Sequence, residues 1–373
     1  MRTEIAKLDP ANPDAAKIKD AAALIDAGAL VAFPTETVYG IACRAYPDSL
    51  KRLTKLKDRT PEKPYTLHIA SKDDLQRYVP HISLRQKKLV ERTWPGPLTI
   101  LFDLNENDIA LQRTKLPEPV FQSLYSTHSI GIRCPDNPIA TLLLQHTENP
   151  VVAPSANLTG RPPAADPDMV LAQFSGQIEL LLDAGPCKYQ KSSSVVKITP
   201  NGVHVLRHGI YSRDELETLA QVNILVVCTG NTCRSPMAEG MFRKYLAEKL
   251  RCALDELPAR GYKVTSAGVI DTLGFPASPE AVAACAARGV DIAAHRSNRL
   301  SEQVVRQSDL IFAMATAHCE RVAAVCPEAA GRCRLLADNQ QVPDPIGQPQ
   351  DVYDACADLI EKSVKKRISE FLL

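Results

Sequence analysis

Residues 223–250, NILVVCTGNTCRSPMAEGMFRKYLAEKL, read as a short apolar strand, a loop of small and hydroxyl residues, and a long helix. Pro236 suits the first turn of that helix, where a missing N–H breaks no intrahelical bond. Cys228 closes the strand, Arg234 follows six positions later and Ser235 comes next. A loop that curls at a helix start aims its backbone N–H groups at one point. The helix dipole adds positive potential there, and an arginine supplies a two-pronged donor. An anion of phosphoryl type fits that arrangement. The same field is expected to lower the pKa of Cys228, leaving a thiolate at neutral pH that can attack phosphorus. Ser235 is placed to donate a hydrogen bond to it.

Downstream, YKVTSAG (262–268), the helix SPEAVAACAARG (278–289), the strand DLIFAM (309–314) and a last helix from about Asp351 continue a βα alternation. That alternation predicts an α/β domain with a central parallel sheet. Asp344, in the loop VPDPIGQP (342–349), is the candidate acid that protonates a leaving group and then takes a proton from water. With CTGNTCRS, SAG (266–268), HRSNRL (295–300), DLIFAM and the Asp-Pro loop in order, residues 222–373 resemble the low-molecular-weight protein-tyrosine-phosphatase family. The resemblance implies hydrolysis of a phosphoprotein through a cysteinyl-phosphate, with Cys228, Arg234, Ser235 and Asp344 as catalytic residues and no bound cofactor.

Thr232 stands where tyrosine-directed members carry a bulkier apolar residue, so CTGNTCRSPMAE resembles the protein-arginine-phosphatase branch and Thr232 is the candidate specificity residue. That branch usually follows Asp-Pro with an aromatic residue, whereas Ile346 stands here, and phosphoarginine and phosphotyrosine both stay open. Arsenate reduction is the rival chemistry on this fold. It would need Cys319 and Cys326, seven residues apart in a helical stretch. Seven residues of helix rise about 10.5 Å, beyond the roughly 7 Å Cα separation a disulfide tolerates. Cys233, inside the loop, is the better redox partner for Cys228.

Upstream, IYSRDELETLAQ (210–221) reads as a polar spacer, which sets the domains at 1–213 and 222–373 with a linker at 214–221. The first half opens with a helix at 18–28 and the strand ALVAFP (29–34). The runs LHIA (67–70), LTILF (98–102), SIGIR (129–133), PVVAP (150–154), SVVKI (194–198) and GVHVL (202–206) follow. This pattern predicts an α+β domain with a mixed, twisted sheet. It holds no P-loop and no dinucleotide glycine fingerprint, so phosphate binding must use side chains. Lys57 and Arg59, read as lying two apart in an extended stretch, are expected to clamp a triphosphate, and Arg133 at a strand end to pair with a carboxylate. Ser155 and Asn157 add polar walls.

PTETVYG (34–40), K-x-R (57–59), WPGPLT (94–99), APSAN (153–157) and the serine-rich turn SSSVV (192–196) occur in that order. On these motifs residues 1 to about 213 resemble the threonylcarbamoyl-AMP synthase family, with a YrdC-like fold. The resemblance implies that L-threonine, bicarbonate and ATP, with Mg2+, form threonylcarbamoyl-adenylate and pyrophosphate for t6A modification of tRNA, the product passing to a tRNA threonylcarbamoyl-transfer machinery. Thr35, His68, Arg133, Ser155 and Ser193 match the threonine-binding positions. Lys57, Arg59, Lys63, Ser129, Asn157 and Arg207 match the ATP-binding ones. The rival reading is an RNA- or nucleotide-binding module that has lost synthesis, and binding of double-stranded RNA or tRNA stays open.

The 373 residues carry 44 basic and 43 acidic side chains, a net charge of +1, so no global field recruits nucleic acid or a membrane. Eleven cysteines, eight of them after residue 200, are expected to be reduced thiols of a cytoplasmic protein. The amino terminus lacks signal-peptide order and no stretch is apolar enough to span a bilayer. His81, His128, His146 and His318 show no metal-ligand spacing with the cysteines, so no structural metal is expected. Trp94, in a Pro-Gly turn, is expected to pack.

Overall fold

Short runs rich in branched and aliphatic residues become ten strands of one sheet in the amino-terminal part of the chain. They are β1 (Glu4–Lys7), β2 (Val31–Phe33), β3 (Gly40–Arg44), β4 (Leu67–His68), β5 (Leu98–Asp103), β6 (Ser129–Arg133), β7 (Val151–Val152), β8 (Leu180–Asp183), β9 (Ser194–Thr199) and β10 (Gly202–Arg207). The spatial order is β1-β8-β2-β3-β7-β4-β6-β5-β9-β10. Pairs β1/β8, β2/β8, β4/β6 and β5/β9 are parallel, while β2/β3, β3/β7, β4/β7 and β5/β6 are antiparallel, so the sheet is mixed. The coordinates are a computed structural model that describes residues 2–60, 64–125, 127–338 and 340–371.

Register decides where the site forms. His68 on β4 and Thr99 on β5 both lie opposite Arg133 on β6, and Leu98 lies opposite Ser194 on β9. His68 and Arg133, 65 positions apart in sequence, thereby share one row across the sheet with Thr99. Below it, Ile18, Ala21 and Ile25 of the helix Ala15–Asp26 pack with Ile139, Ala140 and Leu143 of the helix Pro138–His146 against Val31, Phe33 and Leu182. Each fully buried aliphatic side chain contributes roughly 1.5–3 kcal/mol of transfer free energy. Asn137 caps the second helix through Ile139 N and Ala140 N, which fixes the chain just beyond Arg133.

The carboxy-terminal part forms a parallel sheet in the order β12-β11-β13-β14 from β11 (Val222–Cys228), β12 (Tyr262–Gly268), β13 (Leu310–Ala313) and β14 (Cys333–Leu335). Ile224 and Val226 join the core beneath the helices Arg234–Leu250 and Gln350–Phe371, whereas Leu225 and Val227 join a second core with Val305, Ile311 and Val322. A strand buried on both faces in this way is what a continuous apolar run signals. Cys228 ends β11 opposite Gly268. A Cβ on Gly268 would lie 2.9 Å from Thr229 O and 3.0 Å from Gly230 C, so only glycine lets the following loop fold over β12.

The chain folds into two compact units, residues 1–82, 89–199 and 203–219 in one and 83–88, 200–202 and 220–373 in the other. Residues 214–221, read from sequence as a linker, lie almost wholly in the helix Arg213–Ala220, where Leu216 and Ala220 are buried. Among the described residues no helix is long and apolar enough to cross a membrane.

Candidate functional sites

Thr35, His68, Arg133, Ser155, Ser193 and Arg207 line one cavity of the first unit. Arg133 is buried at the end of β6, and its Nη2 donates to Glu36 Oε1 at 2.8 Å and to Thr37 Oγ1 at 2.7 Å. Its Nε, buried too, has no partner among the described residues, so the guanidinium keeps an unused donor. His68 Nδ1 lies 3.2 Å from Thr66 O. A carbonyl only accepts, so Nδ1 carries the hydrogen and Nε2 is left as an acceptor. Burial, reinforced by Arg133, pulls the His68 ring down to about 3, which keeps it neutral. Arg207 donates from Nη2 to Ser193 Oγ at 2.9 Å and from Nε to Ser193 O at 3.1 Å, and Ser193 Oγ lies 3.2 Å from Thr99 Oγ1.

Lys57 does not lie in an extended stretch. The helix Pro47–Leu56 runs into it as its C-cap, and Asp58 closes the turn at φ +48°. The buried Lys57 Nζ donates to Ser155 O at 2.5 Å and to Asn157 O, which ties it to the cavity wall. Burial, and then Arg59, pull its ammonium down to about 8. Arg59 stacks over Tyr65 at 4.8 Å and donates to Pro64 O. Asn157 shapes its own loop, accepting from Ser155 Oγ at 2.5 Å and donating to Leu158 O and Arg161 O. Ser129 opens β6 beside Thr127, four residues and about 13 Å of strand before Arg133. Lys63 lies outside the described residues.

In the second unit Cys228 Sγ accepts from Asn231 N–H at 3.2 Å and lies 2.9 Å from Ser235 Oγ. Asn231, at φ +54°, is the bend of the loop; its Nδ2 donates to Ser235 Oγ and Ser266 Oγ, both at 2.8 Å, and its Oδ1 accepts from Asn298 N at 2.7 Å. Arg234 opens the helix Arg234–Leu250 and is buried. It donates to Val342 O at 3.1 Å, to Thr229 Oγ1 at 3.1 Å and to Asp344 Oδ2. Burial pushes the Cys228 thiol up, and Ser235, Arg234 and Asn231 act against it without cancelling it. That direction is opposite to the one the sequence predicts: desolvation at the buried end of β11 opposes the donors of the loop.

The comparisons with known proteins fall on the same two halves. The family described as "Telomere recombination", Sua5/YciO/YrdC, matches residues 23–209, and the low molecular weight phosphotyrosine protein phosphatase family matches residues 223–371. The chain belongs to both families. The threonylcarbamoyl-AMP synthase of Pyrococcus abyssi is 32% identical over 244 residues, covering 65% of this chain and 68% of its own; that of Bacillus subtilis is 30% identical over 54% of this chain and 56% of its own. The Escherichia coli K12 low molecular weight protein-tyrosine-phosphatase Etp is 35% identical over 39% of this chain and 95% of its own. Pyrococcus abyssi Sua5 complexed with L-threonine superposes with a TM-score of 0.52 at 19% identity, covering 98% of both chains, which is a likeness of fold. This chain is thus an enzyme with a synthase domain of the Sua5/YciO/YrdC family and a low-molecular-weight phosphatase domain.

Within the Sua5-like domain, sequence reasoning missed Glu36 and Thr37, the buried partners of Arg133; the signal was an acid inside PTETVYG with no other role. Within the phosphatase domain it missed Asn231 and His318, both buried around the loop. Thr232 is half-buried there, its Oγ1 3.7 Å from Cys233 Sγ. Cys233 turns toward Tyr353 Oη at 3.5 Å and Ser278 Oγ at 3.6 Å, and both it and Cys228 are free thiols. Cys326 is the buried C-cap of the helix Thr316–Val325 that carries the half-buried Cys319. Among the described residues no group of three or more His, Cys, Asp or Glu could hold a metal ion.

Proposed function

We propose that the Sua5-like domain forms threonylcarbamoyl-AMP from L-threonine, bicarbonate and MgATP, releasing pyrophosphate, for t6A modification of tRNA. The observation that carries this reading is the single cavity shared by Thr35, His68, Arg133, Ser155 and Ser193. Its chemistry suits an amino acid. Arg133 offers an unused donor to a carboxylate, while the neutral His68 offers a lone pair to an amine. Arg207, Lys57 and Arg59 supply cationic charge for a triphosphate, and Asn157 the supporting loop. A carbamate oxygen of threonine then attacks the α-phosphorus and pyrophosphate leaves, with positioning and charge neutralisation supplying the rate. Relatives named as threonylcarbamoyl-AMP synthases support synthesis over a bare RNA- or nucleotide-binding module. L-threonine-dependent pyrophosphate release tests it: Lys57→Ala and Arg59→Ala should remove release and keep the thermal melt, and release that survives both would overturn the assignment.

For the phosphatase domain we infer hydrolysis of a phosphorylated protein side chain through a cysteinyl-phosphate. The thiolate of Cys228 attacks phosphorus, Arg234 and the loop N–H groups hold the phosphoryl oxygens, and Asp344 protonates the leaving group and then deprotonates water. Thr232 supports phosphoarginine as the substrate, whereas the names of relatives such as Etp support phosphotyrosine. Steady-state hydrolysis of the two phosphopeptides by the wild type and Cys228→Ser separates them. A phosphoarginine preference that vanishes in the variant supports the role of Thr232, and equal or better phosphotyrosine turnover removes it.

A further inference from the structure

Thr229, the residue after the nucleophile, carries a hydroxyl with no task in the reaction just described. Its Oγ1 lies 3.0 Å from His318 Nε2 and accepts from Arg234 Nη2 at 3.1 Å. His318 projects from the helix Thr316–Val325 and is buried. Burial, with Arg234 beside it, pulls the ring down to about 4, so at neutral pH it carries one hydrogen. Its Nδ1 is buried without a partner among the described residues. An orphaned N–H in such a place forfeits a strong donor, and an unfilled lone pair costs less. The hydrogen is therefore assigned to Nε2, which donates to Thr229 Oγ1.

A hydroxyl oxygen accepts two hydrogen bonds and donates one. With His318 and Arg234 occupying both lone pairs, the Thr229 hydrogen points away from both of them. Arg234 is the guanidinium that meets the phosphoryl group in the reading above, and the uncommitted O–H sits within a hydrogen bond of that same guanidinium. We propose that the Thr229 hydroxyl is a phosphoryl-binding donor of the loop, and that His318 is the positioning residue that keeps it turned toward the substrate. This rests on the phosphatase reading above.

The test uses the full chain, with para-nitrophenyl phosphate as substrate and inorganic phosphate as competitive inhibitor. A hydrogen bond to a charged group gives an expected rise of roughly tenfold to a hundredfold in both KM and the phosphate inhibition constant for Thr229→Val. Thr229→Ser, which keeps the hydroxyl, should stay close to the wild type. His318→Phe should weaken phosphate binding in the wild-type background and add nothing in the Thr229→Val background, a pattern that a merely structural role would not produce. Unchanged phosphate inhibition in Thr229→Val overturns the proposal, as does equal loss in Thr229→Ser or additive loss in the double variant. Where His318→Phe melts early, the Thr229→Val and Thr229→Ser pair decides alone. A wild type that neither hydrolyses the aryl phosphate nor binds phosphate overturns the phosphatase reading itself, and this proposal with it.

Discussion

Lys57 is a cation placed where a cation is costly: it is buried, its ammonium is held by two carbonyls, and Arg59 adds a like charge. An ordinary lysine stays charged to about 10.4, whereas this one loses its proton near 8. Two signs follow. Over that window the unfolded chain binds the extra proton, so Lys57 contributes stability that rises with pH from about 8 to about 10.4. Activity runs the other way, because the neutral amine no longer attracts phosphates. The kcat/KM for ATP of the synthase reaction is expected to fall as pH rises through about 8, and Lys57→Arg to move that fall upward, since a guanidinium keeps its proton there. A flat profile across that range in the wild type would detach Lys57 from the phosphates. The charge of Lys57 was legible in the sequence, but its helix C-cap geometry was not, because the left-handed Asp58 that closes the turn carries no glycine to announce it. Glu36 was hidden for a different reason: it lies in the loop between β2 and β3, its partner Arg133 is 97 positions away, and only the folded chain brings them together.

At the scale of elements, the helix Arg234–Leu250 shows why a helix tolerates a residue that weakens it. Gly240 sits in its interior, where glycine costs about 1 kcal/mol relative to alanine. A Cβ there would come within 2.6 Å of Val290 Cγ1 and 2.7 Å of Ile292 Cγ2, both on β-branched side chains with little rotamer freedom. Overpacking of that kind costs roughly 1–3 kcal/mol, which exceeds the propensity gain. Gly240→Ala should therefore lower the denaturation midpoint of the phosphatase domain, and Val290→Ala in the same chain should recover part of the loss. A stabilised single variant would show that the helix is free to shift. The βα alternation, and with it this helix, was plain from the apolar runs and the helix-start residues. Strands β1, β3, β8 and β14 were not: EIAK has no apolar pattern of its own, and CRL is too short to show a period. They are strands because neighbours supply their hydrogen bonds.

At the scale of the whole molecule, two chemistries that both handle phosphate are built by unrelated means. The Sua5-like domain gathers side chains from a row across β4, β6, β5 and the turn before β9, while the phosphatase domain uses one contiguous loop at a helix start. The second kind of site was legible almost whole, since nucleophile, arginine and serine are neighbours in sequence; the first was legible only through its separate motifs. Every residue assigned to synthesis lies in the unit of residues 1–82, 89–199 and 203–219, and every residue assigned to hydrolysis lies in the other. No group is shared between the two mechanisms, so each should survive the loss of the other. Cys228→Ser is expected to leave threonine-dependent pyrophosphate release within about twofold of the wild type, and Lys57→Ala to leave aryl phosphate hydrolysis equally unaffected, as additivity of independent sites requires. A larger loss in either direction, with both variants folded, would mean that the state of one site reaches the other and that the fusion couples the two reactions rather than carrying them side by side.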